Sequence, residues 1–108
     1  MATTRPYDEL TIPLECVLVA MLLHPAQLTD DEITKHAYGY ARFRYRKLAI
    51  AVHRMHGAIS SLFEGHLIRE VAKNAQKALG DRWRTQATWV LTAEGFVEAC
   101  AFYEEKEA

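Results

Sequence analysis

The sequence has few of the residues that mark disulfide-rich, membrane or secreted proteins. Two cysteines among 108 residues, Cys16 and Cys100, exclude a disulfide framework and a cysteine-based zinc site. The longest apolar run, from Cys16 to Leu23, has eight residues, well short of the roughly 20 that span a bilayer. No apolar segment directly follows the first residues, so we expect no signal peptide, no membrane association and a cytoplasmic protein with reduced, buried thiols.

The chain also lacks the short motifs of the common enzyme classes. It contains no glycine-rich phosphate loop, no His-Glu-x-x-His pair and no Gly-x-Ser-x-Gly turn. The acidic residues Glu15 and 30–32 are attributed to helix ends. His53 and His56 could share a metal ion, but no cysteine or carboxylate lies at a supporting spacing. We therefore expect no enzymatic activity, metal, cofactor or small-molecule ligand, with His53 on a contact surface and His56 beside the core.

The net charge is close to zero, but the charges are unevenly distributed. The whole chain carries −1, whereas residues 42–84 hold ten Lys/Arg against three Asp/Glu, which gives +7. The other residues hold three Lys/Arg against eleven Asp/Glu, which gives −8. A basic middle between acidic flanks predicts a surface that faces a polyanion. The alternative is that these charges only solvate the surface.

The first part of the chain predicts a loose arm over residues 1–10 and then a helix. Pro13 suits the first turn of a helix and Pro25 prevents its continuation, which gives helix 1 over 12–23. Its apolar residues cover more than one stripe, so we expect it to be buried on most sides.

Helix 2 begins with the clearest local signal in the chain. Thr29 and Glu32 have the spacing of a capping box, and the helix is predicted over 29–39, ending near Gly39. Helix 3 is predicted over 44–64, closed by Gly65. Its apolar stripe comprises Leu48, Val52, Met55, Ile59 and Leu62, and the opposite face comprises Arg46, Ile50, His53, Arg54, Gly57 and Ser61.

The pattern then changes to alternation, which indicates strands. Residues 67–71 and 83–91 are predicted to form a hairpin, the second strand having Trp83, Trp89 and Leu91 on one face. Residues 72–80 can be either the hairpin connection or a short helix.

Thr92 is a capping residue for a last helix over 93–105. The predicted fold is one domain, mainly α with a small β-hairpin (α+β).

The order of elements and two motifs resemble the winged helix-turn-helix fold. The stretches are Gly65-His66-Leu67-Ile68 after helix 3 and Trp89-Val90-Leu91-Thr92-Ala93-Glu94-Gly95 at the end of the hairpin. MarR-like and PadR-like regulators carry similar motifs, as do the N-terminal domains of some restriction-type endonucleases. His66 is an insertion relative to the first motif. The resemblance covers residues 12–104 and identifies no subfamily.

The resemblance implies that helix 3 is the recognition helix and that 67–91 is the wing, as in a small regulator that reads double-stranded DNA. The outward face of helix 3 and the surrounding cations agree with this on chemical grounds. Phe43 and Tyr45 are interpreted as core anchors in preference to base-stacking groups. The predicted DNA-binding residues are Arg42, Arg44, Arg46, Lys47, His53, Arg54, Ser61, Lys73, Lys77, Arg82 and Arg84.

The last helix supports a further expectation, namely a homodimer. Its core stripe is interpreted as Phe96, Cys100 and Tyr103, so that Phe102 points away toward a partner. The predicted interface comprises Phe96, Phe102 and Tyr103, with helix 1 or the arm contributing; the alternative is a monomer. A protein-interaction module and RNA binding remain alternative functions.

Overall fold

A computed structural model describes residues 11–46, 49–72, 76–77, 83–84 and 87–107 of the chain. It is mainly helical with a small antiparallel sheet, which confirms the predicted α+β class. The elements are α1 (Thr11–Leu23), α2 (Asp30–Arg44), α3 (Val52–Glu64), β1 (Ile68–Ala72), β2 (Gln76–Lys77), β3 (Trp83–Arg84), β4 (Ala87–Leu91) and α4 (Ala93–Glu107). Side chains are described over 11–46, 49–71 and 87–104. The predicted arm lies outside the described residues.

Helix α1 is the centre of the core. It contacts α2, α3, α4 and β4, and nine of its 13 residues are buried, which confirms the prediction of burial on most sides. Both cysteines are free thiols, Cys16 buried and Cys100 partly buried. Glu15 is buried as well, with 3 % of its surface exposed. The attribution of Glu15 to a helix end was therefore wrong.

Helix α2 begins where the capping signal predicts and ends later than expected. The Thr29 amide donates to Glu32 Oε1 at 2.9 Å and the Glu32 amide to Thr29 Oγ1 at 3.3 Å, which confirms the capping box. The helix passes through Gly39 and continues to Arg44. Tyr40 and Ala41 are buried in this extension, and their burial stabilises the helix beyond the glycine.

Helix α3 is shorter than predicted because it begins at Val52 instead of 44–46. Met55, Ile59 and Leu62 are buried as expected, together with Ala58. Val52, assigned to the apolar stripe, is 54 % exposed at the first position of the helix. Leu48 lies outside the described residues.

The end of α3 shows where the extra residue of the following motif, His66, lies. Gly65 is the C-cap with φ −83°, and the left-handed conformation belongs to His66, whose φ is 61°. The His66 amide donates to the Phe63 carbonyl at 3.1 Å and the Leu67 amide to the Leu62 carbonyl at 2.9 Å. This pair of bonds is a Schellman motif, in which glycine usually occupies the position that His66 takes here.

The strands form two antiparallel ladders. In the first, Ile68 pairs with Leu91 and Ala72 with Ala87; in the second, Gln76 pairs with Arg84 and Lys77 with Trp83. Strand pairing at 76–77 excludes a helix running through 72–80 and favours the hairpin. Leu28 and Trp89 exchange backbone hydrogen bonds of 3.2 and 2.8 Å, so β4 pairs on both of its edges.

Helix α4 starts at the predicted cap but packs through a different face. The Gly95 amide donates to Thr92 Oγ1 at 3.0 Å. Gly95, Ala99 and Phe102 are buried, whereas Phe96 is 53 % exposed. The assignment of Phe96 to the core and of Phe102 to the outside was wrong. A Cβ on Gly95 would lie 1.8 Å from the Leu67 carbonyl oxygen, so the small residues allow a close approach that larger ones would prevent.

Candidate nucleic-acid interface

The outward face of α3 is largely exposed, although the Phe63 ring near its end contacts Trp89 of β4 with ring centroids 5.3 Å apart. Its buried side faces the core, and the remaining described side chains of the helix are exposed: Val52, His53, Arg54, His56, Gly57, Ser60, Ser61, Phe63 and Glu64. His53, Arg54 and Ser61 thus lie on an exposed face, as predicted. His56 is exposed too, so its predicted place beside the core was wrong. The face offers imidazole, guanidinium and hydroxyl groups, which can contact bases or phosphates.

The charge of this face is small, and the positive charge lies at its approach. The charged residues along α3 are Arg54 and Glu64, and their opposite charges cancel. Three exposed cations precede the helix: Arg42 and Arg44 in the last turn of α2, and Arg46 in the connection. Arg42 was expected in the turn before helix 3, and Arg44 and Arg46 in the first turn of that helix, and these placements were wrong. Cations in a last helical turn also interact favourably with the helix dipole.

Two tyrosines fix both ends of the connection between α2 and α3. Tyr45 donates its hydroxyl to Glu15 Oε1 at 2.7 Å, and Tyr38 donates to the Ile50 carbonyl at 2.6 Å. A third, Tyr40, donates to Glu15 Oε2 at 2.9 Å. The backbone around Arg44 and Arg46 is therefore attached to α1 through a buried carboxylate.

The environment of this carboxylate keeps the tyrosines neutral. Burial is the largest cause that raises the pKa of Tyr40, followed by the adjacent Glu15. Burial, the hydrogen bond to Glu15 and its charge likewise raise the pKa of Tyr45. Each hydroxyl keeps its proton and donates it to Glu15, since a phenolate beside a buried carboxylate would be repelled.

The aromatic residues in the Arg-rich stretch separate into two roles. Tyr45 is half-buried and packs against the core, which confirms its predicted role as an anchor. Phe43 is 67 % exposed, so the same prediction was wrong for Phe43.

The cluster of Glu15 with Tyr40 and Tyr45 was not predicted from the sequence. A signal was present, because a single carboxylate between Leu14 and Cys16 in an apolar helix indicates that buried hydrogen-bond donors surround it.

The remaining predicted contacts are only partly within the described structure. Lys47, Lys73 and Arg82 lie outside the described residues. Lys77 belongs to β2 and Arg84 to β3, and their side chains lie outside the described set. The hairpin thus brings two of the predicted cations onto one paired ladder, two residues long on each strand.

The predicted dimer residues occupy three different environments. Phe96 is exposed, Phe102 is 5 % exposed, and Tyr103 is partly buried against the core. Phe96 also lines an apolar groove of about 360 Å³ with Leu22, Pro25 and Val90. Within α1, Leu23 is the exposed residue, so the helix can contribute to an interface only near its end.

Among the described residues, no group of three or more His, Cys, Asp or Glu is arranged to hold a metal ion. None of the described helices combines the length and the apolar content that a membrane span requires.

Comparison with protein-family models, curated proteins and solved structures gives no significant match to this chain.

Proposed function

We propose that the chain is a winged helix-turn-helix domain that binds double-stranded DNA sequence-specifically, as a small transcriptional regulator. In this proposal α3 enters the major groove, whose width of about 12 Å accepts a helix. The hairpin from β1 to β4 contacts the backbone as a wing, with Lys77 and Arg84 on its outer ladder. No cofactor is required.

The observation that carries the proposal is the combination of an exposed polar helix face with a cluster, along the sequence, of the exposed cations Arg42, Arg44 and Arg46 before it. Arg44 and Arg46 flank Tyr45, which is bonded to a buried carboxylate. Fixing the backbone beside these cations reduces the entropy lost when they bind phosphates. The α3 face carries little net charge, so we assign base contacts to it and phosphate contacts to the cluster.

Gly57 is a second feature that favours this use of α3. It lies in the interior of the helix on the exposed side, and nothing lies within 4 Å of where its Cβ would be. Packing within the described structure therefore gives no reason for a residue that disfavours helix. Close approach of the α3 backbone to DNA is a reason.

The proposal is tested by titrating the protein into labelled duplex DNA at two salt concentrations. Affinity should fall steeply with salt, since each neutralised phosphate contributes a slope of about −0.9. Arg44→Glu with Arg46→Glu should abolish binding while circular dichroism stays unchanged. Lys35→Glu is the matched control for Arg46→Glu, because Lys35 is an exposed cation on α2 outside the basic middle. Unaltered binding by the double variant would refute the proposal.

Specific contacts are tested separately from phosphate contacts. Arg54→Ala should weaken binding to a selected sequence by about 1–3 kcal/mol and random DNA much less. Lys77→Ala should weaken both alike and reduce the salt slope. An equal loss on both DNAs for Arg54→Ala would identify Arg54 as a phosphate contact.

A homodimer remains part of the proposal, with a revised interface. Outside its packed face, α4 presents Phe96 and Val97, which are 53 % and 66 % exposed. We assign the interface to these two residues with Leu22 and Pro25, and no longer to Phe102. Phe96→Glu should lower the mass measured by sedimentation without unfolding the chain. A parent protein that is monomeric at tens of micromolar would contradict this part alone.

A further inference from the structure

A groove lies between the end of α1 and the second half of α2, away from the α3 face. Its volume is about 550 Å³, and it is lined by Leu23 and His24 from the end of α1 and by His36, Gly39, Tyr40 and Phe43 from α2. We call it the α1/α2 groove. Tyr38, which bonds to Ile50 ahead of α3, lies about 140° around α2 from Phe43 at 3.6 residues per turn. The groove therefore opens on a different side of α2 from the contact with Ile50, and Arg42 lies at its border with the proposed DNA contact.

Two large apolar side chains of the groove are exposed to solvent. Phe43 is 67 % exposed and Leu23 is 46 % exposed, on either side of it. Gly39 lines the same groove one helical turn before Phe43, and nothing lies within 4 Å of where its Cβ would be. The backbone of α2 is thus accessible on the floor, and a partner's side chain can approach it closely.

The charged side chains that line the groove are cations. Lys35 and Arg42 line it, and none of the described lining residues is acidic. The acidic residues of α2 lie in its first turn, at 30–32, where Glu32 accepts the Thr29 amide and acts on His36 at the groove. His24 and His36 stack with ring centroids 3.6 Å apart and add donors without negative charge.

We propose that the α1/α2 groove binds an acidic amphipathic helix of a partner protein. Such a helix places apolar side chains at i, i+3, i+4 and i+7, which fit between Phe43 and Leu23 over Gly39. Its flanking carboxylates meet Lys35 and Arg42, which gives electrostatic complementarity. Aromatic and Arg side chains are also the types enriched at protein interfaces. Duplex DNA fits less well, because its backbone has no large apolar group to fill the floor.

This inference is independent of the proposed function. The groove and the α3 face lie on different sides of α2, so the domain can hold a partner helix and DNA together. Arg42 borders both surfaces and is therefore left unchanged in the test. Phe43, Lys35 and Gly39 belong to the groove alone.

The probe is an 18-residue synthetic helix with Leu and Phe at i, i+3, i+4 and i+7 and Glu elsewhere. Its control has Lys in place of every Glu. Fluorescence anisotropy should show binding of the acidic peptide, weakened at least tenfold by Phe43→Ser and by Lys35→Glu, and no binding of the basic one. Equal binding of both peptides, or no loss on Phe43→Ser, would overturn the proposal.

Amide NMR spectra distinguish this proposal from DNA binding. The acidic peptide should shift the Gly39 amide and leave Gly57 unchanged, whereas duplex DNA should do the reverse. Arg46→Glu should weaken DNA binding and spare the peptide. A single-stranded oligonucleotide that shifts Gly39 and depends on Phe43 would overturn the proposal in favour of a nucleic-acid groove. If the Phe43→Ser variant had a lower mass in solution than the parent protein, the proposal would be overturned in favour of self-association.

Discussion

The interior around α1 and the outer surfaces of α2 and α3 use the same residue types for different purposes. Gly95 is required by packing, because a Cβ there would meet the Leu67 backbone at 1.8 Å, whereas Gly39 and Gly57 have nothing within 4 Å. Tyr45 is bonded to a buried carboxylate, whereas Phe43 is exposed two residues earlier. Packing explains Gly95 and Tyr45, whereas Gly39, Gly57 and Phe43 have no such explanation, and it is to these that we assign the proposed contacts with partners.

The largest expected effect is at Gly95. Gly95→Ala forces apart α4 and the Leu67 backbone, and we expect it to destabilise the domain by on the order of 3 kcal/mol, at the upper end of overpacking. Denaturant unfolding followed by circular dichroism measures this. A change below about 1 kcal/mol would mean that packing does not require glycine here.

The next effect is at the buried carboxylate. Glu15→Ala removes the acceptor of the Tyr40 and Tyr45 hydroxyls, and unsatisfied buried groups should destabilise the fold by about 3 kcal/mol. Glu15→Gln keeps an acceptor and should lose less. Because Tyr45 adjoins Arg44 and Arg46, Glu15→Ala should also weaken DNA binding under conditions where the domain remains folded. DNA affinity equal to that of the parent would show that the anchor does not organise the cations.

Gly57→Ala is compared directly with Gly95→Ala, since the same substitution is made once in open space and once in a packed contact. With open space around the Cβ position, alanine should stabilise α3 by about 1 kcal/mol. If DNA approaches the backbone closely there, affinity should fall even as the melting temperature rises. Stabilisation with unchanged affinity would leave Gly57 without a role in the interface.

The smallest effect concerns His36 beside the α1/α2 groove. Burial is the main cause that lowers its pKa below 6.5, helped by His24 and Lys35 and opposed by Glu32. The folded state thus binds fewer protons than the unfolded state, so stability is fully present above about pH 6.5 and declines as pH falls below it. His36→Gln should flatten this decline between pH 7 and 5 in thermal melts. An unchanged slope would assign the decline to other groups.

The predictions that depend on neighbouring residues in the sequence were correct for the helix caps. The capping box at Thr29, the cap at Thr92 and the burial of α1 were predicted correctly, because each depends on neighbours along one helix. The hairpin was also predicted from alternation, although its connection was left open. These features determined the order of the four helices and the place of the strands between α3 and α4, whereas the structure divides the two predicted strands into four.

Only tertiary structure decided which faces are buried and where α2 ends. Helix α4 has two apolar faces, and periodicity could not rank Phe96 against Phe102; the choice depended on the close approach that Gly95 and Ala99 allow. Likewise, α2 continues past Gly39 because Tyr40 reaches Glu15, 25 residues away. Contacts between distant residues outweigh local preferences of about 1 kcal/mol, and such contacts leave no periodic pattern in the sequence.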